Sequence, residues 1–427
     1  MPLGSLQIPW NRKRRRLEHT IRAPYQPIGR VFLLVTSTPF NLTMSTLLIP
    51  PAFFGLSALV FLVAIQLPLE YRVRLSPLLF GSAYASLSAS HYLDALPSVN
   101  TLWGLLTCIW ILHAISILFI DKITIPRGAP PWTAAYKIWM NPRRQLDWDS
   151  IISRKQNTNS TSIAPFIIKR LFKAGTCCVL QFCIIGPSVY LNFSFTSHDF
   201  GRVQEIFIRR LIWSDYGPSI TPREIQTRIL LSVYWIWLTY LMLDVCHILL
   251  SVFFVIFRVD TPEEWQPLFG SVGEAYGVRR FWAKFWHQLT TPCCASSGRL
   301  VTRLLGFKPA SSFEKCFIAF WTFFLSAIYH FVADWMAGEP CRPMNDLFFF
   351  LINFLVVTVE IFVASVWTRV SNVEIGRGKY SNASKRQKFA GFIWLLLFFF
   401  WSVPKWQYSK LQAMVERLEH SRQDLYL

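Results

Sequence analysis

Acidic residues are scarce in this 427-residue chain: 24 Asp and Glu stand against 43 Lys and Arg, a formal net charge of +19. In a soluble protein that balance would point to nucleic acid. Here the basic residues gather between long apolar runs, as the positive-inside rule expects of cytosolic loops, so no nucleic-acid partner is called for. Other absences narrow the field further. There is no GxxxxGK[ST], no GxGxxG and no GxSxG, which removes the phosphate-loop, dinucleotide-fold and nucleophile-elbow readings. The nine cysteines contain no CxxC pair. Cys293 and Cys294 are adjacent, and Cys177, Cys178, Cys183, Cys246 and Cys316 fall in apolar runs, so they read as structural or inert thiols. Neither His287 nor His330 has a Cys or His at zinc-ligand spacing, and no metal is called for. No internal repeat and no soluble domain longer than a loop can be found.

What the chain has in abundance is apolar sequence, 53% of all residues. Several runs exceed the roughly 18 apolar residues that mark a membrane span. The candidates are 47–68, 101–120, 166–190, 229–257, 313–336, 345–368 and 388–407, with 76–94 as a borderline, short or re-entrant piece. The fold class is therefore an all-α integral membrane protein, with seven to nine transmembrane or re-entrant helices enclosing a buried reaction chamber. The sequence divides into a basic arm over 1–40, a multi-span domain over 41–410 with its motif region at 262–336, and a tail over 411–427 that reads as a short amphipathic helix. The arm, loop 121–165 and loop 369–388 carry the densest basic clusters and are assigned to the cytosol. An even number of crossings would then separate the arm from loop 121–165, which favours 76–94 not spanning fully. The arm is too polar for a cleaved secretory signal, and the first span reads as a signal-anchor. An internal membrane, the endoplasmic reticulum, is the expected compartment. Of four glycosylation sequons, at Asn41, Asn159, Asn192 and Asn382, only Asn192 falls in a loop expected to be lumenal.

Two features carry chemistry. His330 lies inside the apolar run Phe317-Ile318-Ala319-Phe320-Trp321-Thr322-Phe323-Phe324-Leu325-Ser326-Ala327-Ile328-Tyr329-His330. An imidazole in hydrocarbon needs a partner or a task, and it can take a proton near neutral pH. Upstream stands Arg280-Phe281-Trp282-Ala283-Lys284-Phe285-Trp286-His287-Gln288. A helix predicted over about 272–289 would put Arg280, Lys284 and His287 on one face, with Trp282 and Trp286 on its apolar side. Acyl transfer from a thioester to an alcohol needs a base for the hydroxyl proton and donors for the oxyanion, with no obligatory metal or covalent intermediate. His330 can be the base, and His287 can polarise the thioester carbonyl. Arg280 and Lys284, with Trp286, can receive the phosphates and body of coenzyme A. Each has a plainer reading. His330 could simply pair with Asp334, four residues on, and the 280–288 segment could be an interfacial helix whose Trp residues anchor and whose cations snorkel.

The run Phe281-Trp282-Ala283-Lys284-Phe285-Trp286-His287, followed some 40 residues later by a His in an apolar helix, resembles the membrane-bound O-acyltransferase superfamily, and within it the wax-synthase-like branch. The His at position 287, together with Asn141-Pro142-Arg143, is similar to fungal acetyltransferases of terpenoid and meroterpenoid biosynthesis. The resemblance implies an acyl-CoA-dependent O-acyltransferase. It implies acetyl-CoA as co-substrate with no permanently bound cofactor, and a hydroxyl on a hydrophobic small molecule as acceptor, met within the lipid bilayer. It makes His330 the general base and His287 the second polar residue of the site. A long-chain acyl-CoA:fatty alcohol wax ester synthase keeps the chemistry with other substrates. A proton-coupled transporter, using Asp244, His247 and Glu360 as relay groups, is the rival of another class. His113 is expected to be a satisfied interhelical contact.

Overall fold

The computed structural model describes residues 44–93, 99–145, 163–338, 343–370 and 384–424. The basic arm, the sequons at Asn41, Asn159 and Asn382, and most of loop 369–388 lie outside the described residues. All regular structure among the described residues is helical. The long helices are α1 (Ile49–Ala64), α2 (Leu69–Ser88), α3 (Val99–Ile115), α4 (Pro131–Trp139) and α5 (Ile163–Val179). They continue with α6 (Pro222–Ile256), α7 (Thr291–Leu304), α8 (Ser312–Met336), α9 (Pro343–Val370) and α10 (Lys385–Asp424). A π-helical turn extends α3 to Ile120, and another joins α5 to a last helical stretch ending at Phe193.

Six of these helices are long and apolar enough to cross a membrane: Val99–Ile120, Ile163–Phe193, Pro222–Ile256, Ser312–Met336, Met344–Trp367 and Lys385–Arg417. The chain is thus an all-α integral membrane protein, as its apolar runs require. The run at 47–68 forms only the 16-residue α1. The borderline stretch 76–94 is the second half of α2 with a following 3-10 turn. It is not a separate short piece: α2 lies antiparallel to α1, with the Ser57 hydroxyl donating to Leu79 O (2.9 Å) and Ser86 to Pro50 O (2.8 Å).

Local sequence explains the helix ends. Thr221 caps α6 by accepting the Glu224 N–H at 3.2 Å, with Pro222 in the first turn where its missing N–H costs nothing. Ser311 caps α8 in the same way, accepting the Glu314 N–H at 3.1 Å. Pro404 sits inside α10 and cannot donate to the Phe400 carbonyl. The buried Arg228 donates to that carbonyl instead, at 3.4 Å. In hydrocarbon such freed backbone groups must be met by protein.

Outward faces are apolar: Ile168, Phe172 and Phe182 on the α5 rod and Phe362 and Val363 on α9 are all exposed, as lipid-facing residues should be. The inner faces converge on one large aromatic cluster drawn from 268–286, α9 and α10, including Phe281, Trp286, Phe349, Phe399 and Trp406. Because lipid is as apolar as these side chains, close packing and interhelical hydrogen bonds, rather than exclusion of water, hold them together. At one end of the bundle the segments 121–145 and 257–268 are joined. Lys137 pairs with Asp260 and Glu264, and Arg143 donates to Pro267 O at 2.8 Å. At the other end the Ser197 hydroxyl donates to Glu419 at 2.9 Å, and Arg223 pairs with Asp199 at 2.7 Å.

Candidate active site

The helix predicted over 272–289 does not form. A 3-10 turn covers Val272–Glu274, a single α turn covers Val278–Arg280, and a π-helical turn covers Phe281–Phe285 before Trp286 turns extended. Gly277 breaks the run because its φ of +135° lies where side chains are disfavoured. The following turn is then fastened from outside. Glu360, deep in α9, accepts the N–H groups of Val278 (2.9 Å) and Arg279 (2.8 Å) and the indole N–H of Trp394 (2.8 Å). A carboxylate at the start of a helical turn satisfies donors that have no partner of their own. Gly270 donates to Phe285 O at 2.9 Å, in an approach so close that a Cβ there would lie 2.0 Å from the Lys284 carbonyl oxygen. The π turn aims Trp282 inward, where its indole donates to the buried Asn353 (2.8 Å), whose own amide donates to Phe349 O. Gln288 donates back to the carbonyls of Trp282 (2.6 Å) and Trp286 (3.1 Å).

This folding delivers His287 to the wall of a cavity of about 440 Å³ that is lined mostly by apolar side chains. His330, from α8, lines the same cavity, as does Trp286. Trp235, Trp282, Phe323, Phe350 and Trp406 form much of the remaining wall. His330 packs against Phe350 (ring centroids 4.9 Å apart) and meets Trp406 edge to face at 6.2 Å. His287 meets Phe269 edge to face at 5.9 Å, and its Nδ1 is buried with no hydrogen-bond partner among the described residues. Burial, with smaller contributions from His330 and Arg143, pushes the His287 imidazole down to about 3, so the ring is neutral.

The cations predicted with these histidines are placed elsewhere. Arg280 pairs with Glu274 and lies over the Tyr276 ring at 4.2 Å, and neither it nor Lys284 lines the cavity. With the regular helix gone, the spacing that put Arg280, Lys284 and His287 on one face no longer applies. The cations that do line the cavity are Arg279 and Lys315. Lys315 stands in the first turn of α8, 15 residues before His330. The cavity therefore runs roughly 22 Å along that helix, at 1.5 Å per residue. A signal for this face was present: stepping back from His330 by helical turns gives Ser326, Phe323, Thr322, Ala319 and Lys315, all in the wall. Three hydroxyls make a polar strip within it. Thr290 and Tyr329 are 3.4 Å apart, Tyr329 donates to Ser326 at 3.2 Å, and Ser326 donates to Thr322 O.

The other intramembrane polar residues named above lie away from the cavity. Asp334 pairs with Lys410. Asp244 pairs with Lys173 at 2.7 Å rather than with His247, which meets Trp265 edge to face at 5.1 Å. His113 is only half satisfied: its Nε2 lies 3.1 Å from Ile138 O, and its buried Nδ1 has no hydrogen-bond partner among the described residues. Neither Asp244, His247 nor Glu360 lines the cavity, so the three do not form a relay through it. All eight described cysteines are free thiols.

Fold and cavity together define an integral membrane protein with two histidines lining one partly open, largely apolar chamber. Residues 265–352, which hold both histidines, match the Membrane bound O-acyl transferase family, and so bear out the resemblance drawn from the 281–287 motif. The chain is 33% identical over 204 residues to the acetyltransferase fsoF of Humicola fuscoatra, covering 46% of this chain and 48% of that one. It is 29% identical over 195 residues to the acetyltransferase spyB of Aspergillus fumigatus, covering 44% of this chain and 33% of the relative. It is 30% identical over 173 residues to the acetyltransferase ple2 of Rhodocybe pseudopiperita, covering 40% and 44%. The similarity thus spans between a third and about half of the length of these relatives. No solved structure matches the chain.

Proposed function

We propose that this protein is an O-acyltransferase that moves an acetyl group from acetyl-CoA to a hydroxyl of a hydrophobic small molecule, of terpenoid or meroterpenoid type, in an internal membrane such as the endoplasmic reticulum. One observation carries the reading: His287 and His330, 43 residues apart in sequence, line a single cavity inside the membrane domain. Similarity to fungal proteins that are acetyltransferases by name supports the choice of acyl group.

In this reading acetyl-CoA enters from the basic end of the bundle. Arg279 and Lys315 meet its phosphates, and its thin arm reaches down the shaft toward His330. The alcohol partitions into lipid and reaches the apolar wall. His330 takes the hydroxyl proton as the alcohol oxygen attacks the thioester carbonyl. His287, neutral and pinned by its loop, donates a hydrogen bond to the carbonyl oxygen as charge develops there. The carbon–sulfur bond then breaks, and the CoA thiolate takes the proton from His330. No covalent enzyme intermediate is needed, because the thioester is already activated and the chamber holds both reactants together.

The test uses microsomes containing the full chain, labelled acetyl-CoA or palmitoyl-CoA, and a panel of terpenoid alcohols. A labelled acetate ester that His330→Ala abolishes, with the variant still inserted and expressed, is the expected result. Undiminished turnover in His330→Ala would sink the assignment. Esters formed from palmitoyl-CoA but not acetyl-CoA would shift it to a wax ester synthase.

A further inference from the structure

Beside the cavity lies a group of charges that the transfer described above does not use. Lys410 of α10 pairs with Asp334 of α8 and, at 3.1 Å, with Asp346 of α9. Asp346 is 0% exposed. Its Oδ1 accepts both Lys410 and the Trp406 indole N–H, the latter at 2.7 Å, while its Oδ2 has no hydrogen-bond partner among the described residues. Trp406 links this group to the site. It stacks on Phe349 with ring centroids 4.0 Å apart, sets its ring against His330 at 6.2 Å, and has Lys410 over its face at 5.6 Å. Neighbouring Asn345 donates to Ser409 at 3.0 Å, so α9 and α10 are fastened together at this level.

A buried ion group is poor evidence for stability, since desolvation offsets most of the attraction between its charges. Its position calls for another account. Once His330 has taken the acceptor's proton it is an imidazolium in a low-dielectric chamber, and the Lys410 charge opposes that state. Asp346, bonded to both Lys410 and the Trp406 indole N–H, supplies negative charge that offsets it. The other titratable groups near His330 are Tyr329, whose ring centroid lies 5.1 Å away, Asp334, one turn further along its own helix, and His287 in the wall of the same cavity.

We propose that Asp346 is a positioning residue for the transfer, which holds Trp406 against His330 and balances the Lys410 charge as His330 becomes protonated. The inference rests on the acetyltransfer reading. It makes kcat sensitive to the balance of charge and leaves donor binding alone.

The experiment compares the full chain in microsomes as wild type, Asp346→Asn, Lys410→Met and the double variant, with acetyl-CoA and whichever panel alcohol the wild type turns over fastest. Asparagine removes the charge and keeps an oxygen for the Trp406 indole, with its NH2 taking the place of the unpartnered Oδ2. Asp346→Asn should lower kcat about tenfold, with the KM for acetyl-CoA unchanged within about twofold. Adding Lys410→Met restores the charge near His330 and should recover several-fold of the lost kcat. Between these two variants heat tolerance should run in the opposite order, because Asp334 keeps Lys410 in Asp346→Asn and loses it in the double variant. A purely structural group predicts the same order for both readouts. The proposal falls if the double variant is as slow as Asp346→Asn or slower, or if Asp346→Asn matches the wild type. Absence of acetyl transfer by the wild type would be a different failure, of the acetyltransfer reading itself, and would be seen before any variant is compared.

Discussion

Arg279 and Lys315 line the cavity at the end remote from His330. Lys315 is exposed and Arg279 half-buried, so both can meet an anion without first leaving a buried partner. Under the acetyltransfer reading, removing either charge weakens donor binding and leaves the chemical step intact. Arg279→Gln and Lys315→Gln should each raise the KM for acetyl-CoA by up to about tenfold with kcat little changed. Arg280→Gln, whose guanidinium is occupied by Glu274 and Tyr276, should not. Initial-rate kinetics on the three variants would check this, and an effect largest at Arg280 would contradict it. Residue type marked the right neighbourhood, because a basic pair stands next to the aromatic motif. Which of the two arginines faces the cavity depends on the π-helical turn and the glycine before it, and neither follows from spacing.

Glu360 shows how an element is set by a residue far away in sequence. From within α9 it accepts two backbone N–H groups of 278–279 and the Trp394 indole, and so fixes the turn that carries Trp282 and His287. Glu360→Leu would leave these donors without their acceptor, at a cost of roughly 3 kcal/mol or more. Glu360→Gln keeps acceptor capacity and should cost less. The expected outcome is a lower thermal midpoint in detergent, larger for Leu than for Gln, with activity falling in the same order. Equal midpoints for wild type and Glu360→Leu would show that the turn holds without the carboxylate. A carboxylate inside an apolar run can be read from sequence as functional or as paired. Its partners here are main-chain groups some 80 residues upstream, and main-chain donors carry no sequence signature.

At the scale of the whole molecule, the described basic connections can be placed at one end of the bundle or the other. The connections that hold Lys137, Arg143, Arg144, Arg299 and Arg303 lie toward the end of the bundle where α6 finishes and α8 begins. Residues 194–221 lie at the other end, against the last turns of α10. On the positive-inside rule we propose that the first end faces the cytosol. In sealed microsomes a membrane-impermeant maleimide should label Lys308→Cys directly and Ser219→Cys only after permeabilisation, with the unsubstituted chain as background. The reverse pattern would invert the topology and take the donor's route with it.

The sequence by itself determined the membrane class, most of the spans and the pairing of an intramembrane His with an aromatic motif that ends in a second His. These depend on the composition of windows of about 20 residues, and the transfer of such a window from water to lipid is nearly a local property. Helical periodicity also carried the cavity-facing stripe of α8 back from His330, because neighbours at three and four residues share a face whatever lies opposite. Tertiary structure alone decided which cation enters the chamber, why the motif segment is a broken turn, and that Trp406 and Asp346, from two other helices, stand behind His330. Such contacts arise where separate helices approach within a few ångströms. That approach depends on the joint packing of many side chains, and no single segment encodes it.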